Sequence, residues 1–162
     1  MNAIERLMKE TLTLRAARSA YIAFSAIFGF IVALSALATA SNHKMLMATV
    51  IAVGVLLLSW AWLIRFRVTM SSQSLTYTTL FGGTVTFDFE EIRSIRLESG
   101  IRGVEDRFKP FVRIVIEPLK ESRQKPTYVN AKLLTKVDLA ELRQTLRARF
   151  VSMGRSDVVK EL

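Results

Sequence analysis

Two long runs without charge dominate the hydrophobic pattern of this chain. Ser19 to His43 and Met45 to Ile64 are separated only by Lys44, and no other formal charge lies between Arg18 and Arg65. As a helix rising 1.5 Å per residue, the shorter run is about 30 Å long, the thickness of a bilayer's hydrocarbon core. The polar break Ser41-Asn42-His43-Lys44 has the length of a tight turn. The pattern predicts a transmembrane helical hairpin over residues 19–64, with spans at about 19–41 and 45–64. Ahead of it, Ile4, Leu7, Met8 and Leu12 recur at helical spacing, so residues 1–18 read as a cytoplasmic leader carrying a short interfacial helix, or as a solvated leader.

After Arg67 the period changes from helical to two. Leu75, Tyr77 and Thr79 alternate with Thr76, Thr78 and Leu80, and Val85, Phe87 and Phe89 alternate with Thr84, Thr86 and Asp88. Two half-buried strands follow from this, joined at Gly82-Gly83, whose freedom at positive φ suits a tight hairpin. Val68 to Met70 is predicted as a short leading strand, turning at Ser71-Ser72-Gln73. Ile92, Ile95 and Leu97 give a further strand, Glu98 to Pro110 an exposed loop, Phe111 to Ile116 a strong strand, and Thr127 to Val129 a short one.

The last periodic stretch is helical. Thr135 is placed to cap it with Asp138 three residues on; Leu139, Leu142, Leu146 and Phe150 share one face, away from Lys136, Arg143 and Arg147. Gly154 is expected to end the helix, leaving residues 151–162 as a tail, frayed from Ser156 onward.

Charge adds an orientation to this picture. The chain carries 23 Lys and Arg against 14 Asp and Glu, a formal net charge of +9. Residues 65–162 contribute 18 basic and 12 acidic side chains, a net of +6. Arg15 and Arg18 precede the first span, and Arg65 and Arg67 follow the second; only Lys44 lies between. The bias places both termini on the cytoplasmic side of an inner membrane, with Tyr21, Trp60 and Trp62 at the head-group level. A cleaved signal sequence is excluded on length: the first run exceeds a signal's apolar region, and a second full-length run follows. Neither span carries an ionisable side chain, which favours an anchor over a channel or transporter. Ser25, Gly29 and Ala33, spaced by four, form a small-residue strip for packing the hairpin or docking it on another subunit; Ala48 and Ala52 offer a weaker counterpart.

The segment from Val68-Thr69-Met70 to Leu97 contains Leu75-Thr76-Tyr77, a glycine turn, then Phe87-Asp88-Phe89-Glu90-Glu91-Ile92-Arg93-Ser94-Ile95. It resembles the bacterial pleckstrin-homology-like (PH-like) domain. Phe89, Glu91, Ile92 and Ile95 match the family's aromatic followed by an acidic-Ile-x-x-Ile/Val step. The resemblance covers residues 65–150, and members often follow two transmembrane helices. It implies an α+β fold: the hairpin, then a PH-like antiparallel β-barrel or sandwich closed by a C-terminal α-helix. It also implies a non-enzymatic binding or scaffolding module, often self-associating, and names no ligand. The turn corresponding to the phosphoinositide-binding hairpin of eukaryotic relatives is uncharged here, Ser71-Ser72-Gln73-Ser74, which argues against a pocket for a multiply phosphorylated head group.

Candidate chemistry is sparse. The chain has no cysteine, which removes disulfides, thiolate nucleophiles and most structural zinc sites. His43 is the only histidine and has no neighbouring ligand or orienting acid. Glu90 and Glu91 are adjacent and point apart on extended chain, and Ser71, Ser72 and Ser74 have no activating base. No enzyme, metal, cofactor or small-molecule substrate is expected. Arg102, Arg107, Phe108, Lys109 and Phe111 form a candidate partner loop, with Glu105 and Asp106 diluting its charge against nucleic acid. The expectation is a membrane-anchored protein with lipid around its hairpin and a protein partner or second copy on its module. A peripheral reader of anionic lipid through Arg65 and Arg67 is the alternative.

Overall fold

A strand at the head of the chain belongs to a sheet whose next strand lies beyond the hairpin. In the computed structural model, which describes residues 11–100, 109–122 and 124–159, β1 (Leu12–Arg15) pairs antiparallel with β2 (Arg67–Met70). Leu12 lies opposite Met70 and Arg15 opposite Arg67. Leu14 and Val68 turn inward and are buried, while Arg15 and Arg67 turn out. The expected helical or frayed leader is therefore a strand over residues 12–15; Ile4, Leu7 and Met8 lie outside the described residues.

Between β1 and β2 run α1 (Arg18–Ser41) and α2 (Leu46–Arg65), joined by a 3-10 turn over His43–Met45. Both helices are long and apolar enough to cross a membrane. Their mutual seam repeats at about 3.5 residues. The shielded positions along it are Tyr21, Ser25, Phe28, Gly29, Val32, Ser35, Ala38 and Thr39 on α1, and Thr49, Ala52, Leu56, Ser59 and Leu63 on α2. Thr39 and Thr49 share a hydroxyl–hydroxyl hydrogen bond of 2.8 Å at the distal end, and the Trp60 indole N–H donates to Ser25 Oγ at 3.1 Å near the root. Of the Ser25-Gly29-Ala33 strip, Ser25 meets α2 through Trp60, Gly29 is half-buried with room for a Cβ, and Ala33 is exposed. The opposite faces, with Ile22, Phe30, Leu37, Met47, Ile51 and Leu57, are largely exposed.

Among the described residues, seven strands form two open sheets rather than a closed barrel. The first has the order β1-β2-β3-β4, with β3 Ser74–Thr79 and β4 Gly83–Asp88; the second is β5-β6-β7, with β5 Ile92–Ser99, β6 Val112–Pro118 and β7 Thr127–Asn130. In the β3–β4 turn only Gly83 takes a positive φ, at 66°. Gly82 is needed for a different reason: a Cβ there would sit 2.8 Å from Thr79 Cγ2. A 3-10 turn, Phe89–Glu91, carries the chain from one sheet to the other.

One core joins both sheets, α3 (Lys136–Ser152) and the hairpin's root. It contains Leu14, Leu63, Phe66, Val68, Phe87, Ile95, Ile114, Leu146 and Phe150. Thr135 caps α3 through a reciprocal box with Asp138: Thr135 Oγ1 accepts from the Asp138 N–H at 3.0 Å, and the Thr135 N–H donates to Asp138 Oδ2 at 3.2 Å. At its other end, Gly154 (φ 71°) donates to Val151 and Arg155 to Phe150, the paired bonds of a Schellman ending.

As far as Val159 the chain after that helix is folded where a frayed tail was expected; residues 160–162 of that tail lie outside the described residues. Ser156–Val159 forms a 3-10 turn that buries Val158 and Val159 in the same core. Arg155 fastens it, donating to the carbonyls of Phe89, Glu90 and Ile92 at 3.0, 3.0 and 2.6 Å. The domain thus draws on residues on both sides of the expected 65–150 limits.

Candidate functional site at the root of the hairpin

The helices leave the β-domain without a linker. Ala16 and Ala17 alone separate β1 from α1, and Phe66 alone separates α2 from β2; all three are buried. The Ala17 N–H donates to the Leu133 carbonyl at 2.7 Å, tying the start of α1 to the segment before α3. Leu63, in the last turn of α2, is 1% exposed, and Ala20, Tyr21, Phe24 and Trp62 pack around the same core. Burying side chains such as Leu63 and Phe66 contributes roughly 1.5–3 kcal/mol each, so the first turns of the hairpin are part of the domain's own packing.

Aromatic rings gather just above this root. Tyr21 and Trp60 meet edge to face with centroids 6.5 Å apart, and Phe24 lies 5.9 Å from Trp62. Below them the predicted membrane-interface arginines come together. Arg15 and Arg67 are register partners, and Arg18 and Arg65 are the first residue of α1 and the last of α2. All four are exposed. The structure thus brings Arg15, Arg18, Tyr21, Trp60, Trp62, Arg65 and Arg67 to one end of the hairpin.

A second polar assembly covers the outer face of β5 and β6. Ser94 Oγ donates to Glu117 Oε2 at 2.9 Å, and Arg96 bridges Glu117 at 2.7 Å and Glu98 at 2.6 Å. Arg113 donates from Nε and Nη2 to Glu98 Oε2 at 3.1 and 2.9 Å. Glu98 was expected in a loop but lies within β5 and is buried opposite Arg113. Burial alone would push the Glu98 carboxyl up; the hydrogen bonds from Arg96 and Arg113 outweigh it and hold it below the ordinary glutamate value. Glu117 is lowered in the same way, burial opposing the bonds from Ser94 and Arg96. Arg113 also points Nη1 at the carbonyls of Gly100 and Pro110, at 3.5 and 3.3 Å, pinning both ends of the segment between β5 and β6.

Of the expected partner loop, Arg102, Arg107 and Phe108 lie outside the described residues. Lys109 Nζ stands 4.5 Å over the Tyr128 ring, and Phe111, 53% exposed, lies under Lys132 Nζ at 5.0 Å. Lys109, Tyr128, Tyr77, Val85 and Pro110 line a cleft of about 350 Å³ between the two sheets. Neither Tyr128 nor Lys132 was singled out from the sequence, because their partners are distant along the chain. Among the described residues, no group of three or more His, Cys, Asp or Glu is placed to hold a metal ion.

Comparison with protein-family models, with curated proteins and with solved structures finds no match to this chain.

Proposed function

We propose that this chain is a membrane-anchored, non-enzymatic binding protein: its hairpin spans an inner membrane and holds a PH-like module, closed by α3, at the cytoplasmic face, where the module docks a protein partner or a second copy. The observation that carries the reading is the asymmetry of the hairpin. Its outward faces are apolar and exposed, whereas its root runs into the core of the β-domain. Exposed apolar faces of this size suit lipid and are costly in water. The order of four strands, three strands and a helix supports the PH-like assignment, and the Lys109–Tyr128 cleft with Phe111 supports a protein-binding surface. Both termini are cytoplasmic in this reading because the arginines cluster at the root.

Extraction of the full-length protein in mild detergent, with cross-linking before lysis, tests it. Cross-linked species above the monomer, or a stoichiometric co-purifying protein, are expected. A strictly monomeric product with no companion would overturn the assembly role, and recovery as a freely soluble species without detergent would overturn the anchor.

A further inference from the structure

We propose that Arg15 and Arg67, with Arg18 and Arg65 beside them, form a clamp for the phosphate of an anionic lipid head group in the leaflet next to the β-domain. The clamp rests on the membrane-anchored reading and adds a ligand to it.

The first ground is electrostatic. Arg15 and Arg67 sit directly opposite each other in the β1–β2 ladder, on its outer face. Like charges in directly opposed positions of an antiparallel pair weaken it, and this pair is only four residues long. Among the described residues, none of the four arginines has an ion-pair partner. One bridging anion reverses the sign of that interaction, and guanidinium groups take phosphate oxygens two at a time.

The second ground is depth. Trp60 precedes Arg65 by five residues, about 7.5 Å along a helix. Head-group layers add roughly 5–8 Å beyond the hydrocarbon on each side. With the Tyr21–Trp60 ring pair at the hydrocarbon boundary, Arg65 falls at the phosphates with Arg18 beside it, and Arg15 and Arg67 lie a short step beyond along the strands. The linker-free junctions at Ala17 and Phe66 hold that offset, so the clamp does not depend on a flexible tether.

The two tryptophans are the only ones in the chain and lie beside the site, which makes them its reporters. The full-length protein in phosphatidylcholine vesicles is titrated with phosphatidylglycerol brominated in the upper acyl chain, or with phosphatidylcholine brominated identically, and tryptophan quenching gives their relative association. A severalfold preference for phosphatidylglycerol is expected, with about fivefold per engaged arginine as the scale. The double variant R15Q/R67Q is expected to lose the preference while phosphatidylcholine still quenches, which shows the hairpin inserted. R15K/R67K, keeping charge without the two-pronged donor, is expected to retain part of it. K120Q/K125Q, removing the same charge from exposed positions elsewhere, is expected to retain it all. Equal quenching in the parent protein, or a preference that survives R15Q/R67Q, overturns the clamp. Inorganic phosphate, compared with chloride at equal ionic strength, is expected to lower the preference by competition; saturable phosphate binding without any preference for phosphatidylglycerol overturns the lipid as the ligand. Quenching by neither lipid overturns the membrane reading and the clamp with it.

Discussion

Glu98 and Arg113 face each other across β5 and β6, both buried, and the guanidinium grips one carboxylate oxygen with two of its nitrogens. Because Arg113 also holds carbonyls at both ends of the following segment, this pair sets the local geometry as well as neutralising charge. Replacement of Arg113 by alanine leaves the buried Glu98 carboxylate with Arg96 as its remaining cation and takes the donor from the Gly100 and Pro110 carbonyls. A loss of about 3 kcal/mol is expected, the lower end of the range for breaking one side of a buried pair because Arg96 remains. Thermal or urea unfolding of the detergent-solubilised protein measures it. The paired change E98Q/R113M, which removes both charges, is expected to recover most of the loss.

The same network predicts an acid limb. Glu98 and Glu117 are both held below the ordinary glutamate value in the folded protein. Their contribution is therefore present above the unfolded value, about pH 4.3, and is lost as pH falls through the lower folded values. The melting temperature is expected to be flat from pH 7 toward 5 and to fall steeply below. In E98Q that fall is expected to be shallower, measured over the same range at constant ionic strength.

Residues after Gly154 are predicted to matter for stability. Val158 and Val159 are each 3% exposed, and Arg155 satisfies three carbonyls at the turn between the sheets. V158D is expected to cost about 2–4 kcal/mol, from lost apolar burial and a buried charge without a partner. Arginine 155 changed to alanine is expected to cost about 1.5–3 kcal/mol, as charged hydrogen bonds are removed. A melting curve unchanged in both variants would mean that this turn does not pack as described.

A domain cut at Arg67 is predicted to fail. It lacks β1, Leu14 and Phe66, and exposes the edge of β2. Joining residues 11–17 to 66–159 through a short glycine-asparagine linker in place of the hairpin restores the strand pair. The joined protein, which keeps the strand pair but lacks Leu63, is expected to stay in solution and to melt cooperatively at a lower temperature than the full-length protein; the version starting at residue 68 is expected to aggregate. Size-exclusion chromatography and circular dichroism distinguish them.

How far these features were legible depends on the range of the interaction that creates them. The two long apolar helices declare themselves through uninterrupted apolar runs, and β3 and β4 through strict alternation, because both patterns are local. The cap of α3 is local too, Thr135 answering Asp138 three positions on. β1 is different. Its four residues, Leu-Thr-Leu-Arg, follow apolar positions at helical spacing, and its partner lies on the far side of forty-odd residues of helix. Glu98 looked like the start of a loop because Ser99 and Gly100 follow it and no apolar residue extends the alternation, and Arg113 across the ladder together with Arg96 makes its buried charge tolerable. The buried valines at 158 and 159 sit in a polar stretch with no period at all. The four arginines were visible as charge at both ends of the hairpin, but the facing of Arg15 and Arg67 emerges only from the strand register.

Placing the helices between two neighbouring strands has a consequence for how the protein is made. Leu12 and Met70 are far apart in the newly made chain, and closing so long a loop carries an entropic penalty and slows folding. The pairing of α1 with α2 brings the two ends together and meets that penalty in advance. In the proposed membrane-anchored reading, closure of the β-domain then waits on insertion of the hairpin, and a chain that fails to insert keeps an unzipped sheet edge open to proteolysis.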